Sequence, residues 1–123
     1  MGDLKDLKVF QLAFQQASEI YKFTLDFPKE ELYSLTSQIR RSSRSVCANL
    51  SEGYRKRSYT AHFILKLTDM DAENQETMTW LDFIEDCKYL VPEQIEGLKA
   101  RNKEIGRLIG YMIRHPEKFS NKS

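Results

Sequence analysis

Proline, glycine and cysteine are all scarce in this 123-residue sequence, at three, five and two residues. So little Pro and Gly excludes a collagen-like or low-complexity chain, and 41% hydrophobic residues exclude an intrinsically disordered one. Two cysteines forty positions apart, Cys47 and Cys87, make neither a disulfide framework nor a zinc cluster, which fits a reducing compartment. No apolar run approaches the roughly twenty residues that cross a bilayer. The N-terminal MGDLKDLKVF also lacks the apolar core of a secretory signal. A cytoplasmic protein with no membrane partner is therefore expected. An excess of one charge is missing as well. Nineteen Lys and Arg against eighteen Asp and Glu leave +1, so no overall field drives the chain onto nucleic acid or lipid. The length suits one domain with a sizeable core, residues 1–123, and not two ordinary ones.

Helical periodicity is abundant. Leu7, Phe10, Phe14, Ala17 and Tyr21 recur at spacings of three and four, predicting a helix over about 6–25 that buries this face. Asp26-Phe27-Pro28 ends it, and Glu30 and Glu31 suit the N-terminus of the next. Leu35, Ile39, Ser42, Val46, Asn49 and Gly53 form the seam of a second helix over about 34–54. The small residues Ser42, Ser45, Ala48 and Gly53 let a neighbouring helix come close. Gly53 and Arg55-Lys56-Arg57-Ser58 mark a turn, with Ser58 as N-cap of a third helix over about 59–90. Its core line is Phe63, Leu67, Met70, Leu81 and Ile84, broadened by Ile64, Met78 and Trp80 around a polar middle. Pro92 opens the fourth helix, about 93–115, where Val91, Ile95, Leu98, Asn102, Ile105, Ile109 and Met112 keep a 4-3 spacing. His115-Pro116 closes it, and the tail 116–123 is expected to fray. No segment alternates with period two. The expected fold is all-α: an up-down-up-down antiparallel four-helix bundle.

Around the second helix the residues carry a family likeness. Phe27-Pro28-Lys29-Glu30-Glu31 is followed by Tyr33-x-Leu35-Thr36-Ser37-Gln38-Ile39-Arg40-Arg41, then by Asn49-x-x-Glu52-Gly53 with Arg57 beyond. Asp6-Leu7-x-Val9-Phe10 and Phe63-x-x-x-Leu67, with Glu76 and Leu81 after it, extend the pattern along the chain. This set resembles the four-helix-bundle family of 23S ribosomal RNA intervening-sequence proteins. Relatives of that family include the accessory variability protein of diversity-generating retroelements. The resemblance implies a four-helix bundle and a ring-shaped homo-oligomer, a pentamer. It also implies a ribosomal-RNA setting, which is a genomic address and not an activity.

Charge is unevenly placed along the chain. From Gln38 to Arg57 lie Arg40, Arg41, Arg44, Arg55, Lys56 and Arg57 against Glu52 alone. From Leu67 to Cys87 lie seven carboxylates, Asp71, Glu73 and Glu76 among them, and no cation. Folding about a turn near residue 56 sets Arg41 level with Asp71 and Arg40 level with Glu73, so pairing between helices or between subunits is expected there. Arg44 and the tip Tyr54-Arg55-Lys56-Arg57-Ser58-Tyr59 interleave cations with aromatics, a pattern that contacts phosphates while a ring stacks on unpaired bases. The alternative is a solubilising turn with both tyrosines packed on the bundle end. Lys99, Arg101, Lys103, Arg107, Arg114, Lys118 and Lys122 make a second moderately basic surface.

Chemical constellations are lacking. Asp69-x-Asp71-x-Glu73 fails as a calcium loop, because Asn74 stands where glycine is needed and Trp80 where a bidentate Glu is needed. His62 and His115 follow Tyr59 and Met112 by three residues, so the Glu-x-x-His of a di-iron bundle is missing. Asn49 reads as a buried hydrogen-bonding residue that fixes helix register, and both cysteines as small core hydrophobes. With no phosphate loop and no nucleophile elbow, neither an enzyme, a metal nor a cofactor is expected. Two readings remain open. In one, a self-associating bundle binds structured RNA or DNA. In the other, a ring scaffold docks a protein partner without touching nucleic acid.

Overall fold

The computed structural model describes residues 3–120. Four helices dominate: α1 (Lys8–Thr24), α2 (Ser37–Arg55), α3 (Thr60–Cys87) and α4 (Pro92–Arg114). The links from α2 to α3 and from α3 to α4 hold only four residues each, which forces antiparallel neighbours. α1 packs on α2 and α4, and α3 packs on the same two, so the helices close a square in up-down-up-down order. No helix among the described residues is long and apolar enough to cross a membrane.

Local chemistry sets the helix ends. α3 stops at Cys87 because Lys88 turns into the left-handed region at φ 58°, and the Tyr89 N–H returns to the Ile84 carbonyl at 3.1 Å. The third helix is thus shorter than its predicted end near Leu90. At its start Tyr59, not Ser58, is the N-cap residue, and no side chain caps it. Pro28 leads into a 3-10 turn (Lys29–Glu31) and a π turn (Leu32–Thr36) before α2 begins. The tail is more ordered than expected up to Ser120. Pro116–Lys118 forms a 3-10 turn against α3, and Phe119 packs on the core. The rest of the tail, residues 121–123 and Lys122 with them, lies outside the described residues.

The α4 seam is buried as predicted from Ile95 to Met112, while Val91 at its head is exposed. α1 differs. Its buried face is Val9, Ala13, Gln16, Ala17, Ile20 and Thr24, whereas Phe14 is 61% and Tyr21 40% exposed. Of the expected face, Ala17 is buried and Leu7 and Phe10 pack against the core, while the Phe14 and Tyr21 rings belong to a second apolar stripe that faces out. Spacing misdirected the expectation for these two rings, because periodicity alone does not say which of two stripes meets the core.

The core falls into two apolar clusters. One gathers Phe63, Leu67, Met70, Leu50, Ile105 and Ile109, the other Ile20, Ile39, Leu81, Ile84 and Leu98. Between them every helix contributes a buried polar side chain. The Gln16 amide donates to the Leu98 carbonyl at 2.7 Å and to Asn102 Oδ1 at 3.2 Å. Asn74 and Asn102 donate to each other's backbone carbonyl at 3.0 and 2.9 Å. Ser42 and Thr77 hydroxyls meet at 2.8 Å. A slip of one helix along the bundle would break these bonds inside a low-dielectric core, so the layer fixes register. Asn49 does not do this work. It is half-buried and bonds Ser45 within its own helix, to the carbonyl at 2.9 Å and the hydroxyl at 3.2 Å.

Candidate nucleic-acid interface

Most of the arginine-rich face of α2 is engaged inside the bundle. Arg41 pairs with Glu73 at 3.1 Å and with Glu76, so its partners lie two and five residues along α3 from the expected Asp71. The Arg41 guanidinium, and after it the Trp80 indole N–H at 3.0 Å, hold the Glu76 carboxyl below its ordinary range. Arg40 meets no carboxylate among the described residues. It turns towards α1, donating to Thr24 Oγ1 at 2.9 Å with its guanidinium 4.5 Å from the Tyr21 ring centre. The expected Arg40–Glu73 pair is therefore replaced, because α1 and not α3 faces Arg40. The second basic surface is neutralised in part, since Lys103, Arg114 and Lys118 make no ion pair among the described residues. Lys99 binds Asp82 and Glu85, Arg101 binds Glu19 and Gln16, and Arg107 binds Glu104.

The α2–α3 tip is different. Arg55, Lys56 and Tyr59 are exposed, and neither Arg55 nor Lys56 makes an ion pair among the described residues. With His62, Lys66 and Glu52 the two cations line an open cleft of about 360 Å³. Lys66 is held by Glu52 at 2.7 Å, so the carboxylate in the cleft already has its cation. Two of the six expected contact residues turn inward. Tyr54 is buried, so its ring cannot stack on a base, and Arg57 folds back over that ring at 3.9 Å with Nη1 on the Tyr54 carbonyl at 2.9 Å. Tyr59, 68% exposed, is left as the stacking ring.

Arg44 lies apart from this tip, about 16 Å away along α2 at 1.5 Å per residue. It is exposed on the rim of a groove of about 570 Å³ between α1 and α2, with its guanidinium 5.2 Å from the Tyr21 ring centre. Phe10, Phe14 and Tyr21 supply the apolar wall on α1, and Cys47, Ala48 and Ser51 the small-residue wall on α2. Burial pushes the Cys47 thiol up to about 11, whereas Cys87 is exposed and is not the core residue expected.

Comparison with known proteins supplies the context. A family model described as 23S rRNA-intervening sequence protein matches residues 5–111. The chain belongs to that family. Among solved structures it is similar to a protein of unknown function from the S23 ribosomal protein family of Bacteroides thetaiotaomicron VPI-5482. The two are 30% identical with a TM-score of 0.75, over 85% of this chain and 97% of the other. No curated protein matches.

Within this member of the intervening-sequence family, several of the residues that carried the resemblance are architectural, although Tyr33 is exposed. Leu35 and Ile39 are core, Arg41 clamps α3, and Glu52 holds Lys66. Gly53 is buried inside α2, not in the turn, and a Cβ there would meet the Lys66 Cβ at 2.8 Å. The motif thus describes how α2 seats on α3. The exposed cations Arg55 and Lys56 follow directly after it. His62 and Lys66 were not anticipated at the tip. Their spacing of four on the first turns of α3 is the signal that places them on one face.

Proposed function

We propose that this protein is a non-enzymatic, self-associating helical bundle that binds structured RNA through the α2–α3 tip. The observation that carries this reading is the contrast between engaged and unengaged cations. Arg40 and Arg41 are tied to other helices, while Arg55 and Lys56 stay exposed beside the exposed ring of Tyr59. Cations set next to a solvent-facing aromatic suit a phosphate backbone with a splayed base, the geometry of RNA loops more than of a closed duplex. A chain of net charge +1 binds polyanions weakly alone, and several copies joined together multiply the phosphates neutralised.

Combining Arg55→Ala, Lys56→Ala and Tyr59→Ala tests the site without touching the core. Affinity for a hairpin RNA should fall by about tenfold or more, through lost phosphate and stacking contacts, with the helical circular dichroism unchanged. Equal affinity would remove the tip from the reading. Self-association has its own support in the exposed Phe14 and the groove around it, since contiguous exposed apolar surface marks an interaction site.

A further inference from the structure

We infer that the groove between α1 and α2 of one copy receives the outward stripe Ala61–Leu65–Thr68–Ala72 of α3 from a second copy. This rests on the self-association reading and names its two faces. α3 is apolar on opposite sides. Phe63, Leu67 and Met70 are fully buried within the bundle, yet Leu65 stands 56% exposed between them in sequence. Ala61, Leu65, Thr68 and Ala72 repeat the 4-3-4 spacing of a packing seam, and all four face solvent. A helix with a second seam is built for a second neighbour.

The groove is the matching half. Phe10 to Tyr21 on α1 and Ala61 to Ala72 on α3 each span eleven residue steps, about 16 Å of helix. The small residues Ala61, Thr68 and Ala72 around Leu65 leave space for the Phe14 ring, and Ala48 and Ser51 on α2 leave space for Leu65. Charge selects the pairing. Lys22 and Arg44 stand at the groove without a carboxylate partner among the described residues. Asp69 and Asp71 flank the stripe, and Asp71 likewise makes no ion pair there. Groove on groove would set Lys22 and Arg44 against their own copies, and stripe on stripe would do the same with Asp71. Only groove on stripe brings opposite signs together. Because the two surfaces differ, the contact is head-to-tail, and repeated contacts close a ring or extend a filament.

Light scattering on the full chain and two variants, Phe14→Asp and Leu65→Asp, tests this. The wild type should scatter as a multiple of the 14.5 kDa chain, and each variant as a single chain with unchanged circular dichroism. Mixed one to one, the variants should form a dimer and stop, because each keeps the face that the other has lost. A wild type that stays monomeric at about millimolar concentration overturns both this inference and self-association. An assembly that survives both substitutions, or variants that stay monomeric on mixing, overturns the named faces and leaves self-association standing.

Discussion

Truncating Asn102 to alanine probes the polar layer most sharply. The side chain is 2% exposed, donates to the Asn74 carbonyl at 2.9 Å and accepts from the Gln16 amide at 3.2 Å. Each of these bonds contributes about 0.5–1.5 kcal/mol net, and a buried donor left without a partner costs about 1–3 kcal/mol. The Gln16 amide keeps its bond to the Leu98 carbonyl, so one of its two protons is orphaned. Together these effects predict a loss of about 2–4 kcal/mol, a large share of the roughly 5–15 kcal/mol that holds a domain folded. Urea unfolding followed by the fluorescence of Trp80 and by far-ultraviolet circular dichroism measures it. Lys103→Ala, on the exposed side of the same helix, serves as the control and should change stability by less than about 0.5 kcal/mol. An Asn102→Ala loss as small as the control's would refute the layer as the bundle's register device.

Three further substitutions follow from the packing. Gly53→Ala should destabilise by about 1–3 kcal/mol despite alanine's better helix propensity, because its Cβ would press on the Lys66 Cβ; thermal unfolding reads the sign. Lys88→Gly should stabilise by about 1 kcal/mol in the same assay, since a left-handed residue with a Cβ is strained and glycine is not. Glu76→Gln bears on pH. The folded carboxyl sits below its ordinary value, so its contribution is present above about pH 4.5 and lost as pH falls through the depressed value. The wild type should therefore lose more stability than Glu76→Gln between about pH 5 and 3, and parallel curves would contradict the Arg41–Glu76 clamp.

The fold was legible where one face of a helix stands out as the seam. In α4 the 4-3 spacing from Ile95 to Met112 left one face to bury, and that face is buried. α1 misled because it has two apolar stripes, and the choice between them depends on α2 and α4, which no local spacing reveals. The polar layer was half visible. Asn102 stood in the predicted seam, but Gln16 and Asn74 become seam residues only when helices distant in sequence are brought level. The tip shows the same limit. Its cations were plain in the sequence, while which of Tyr54 and Tyr59 turns inward depends on how α2 seats on its neighbours and on α3 starting at Thr60, one residue later than predicted.

Binding of a hairpin RNA, measured across a salt series beside a duplex DNA of similar length, tests the central claim most directly. The account predicts RNA affinity that falls steeply between about 50 and 200 mM salt, with a shallower slope when Arg55 and Lys56 are replaced by alanine. No RNA binding at the lowest salt would contradict it.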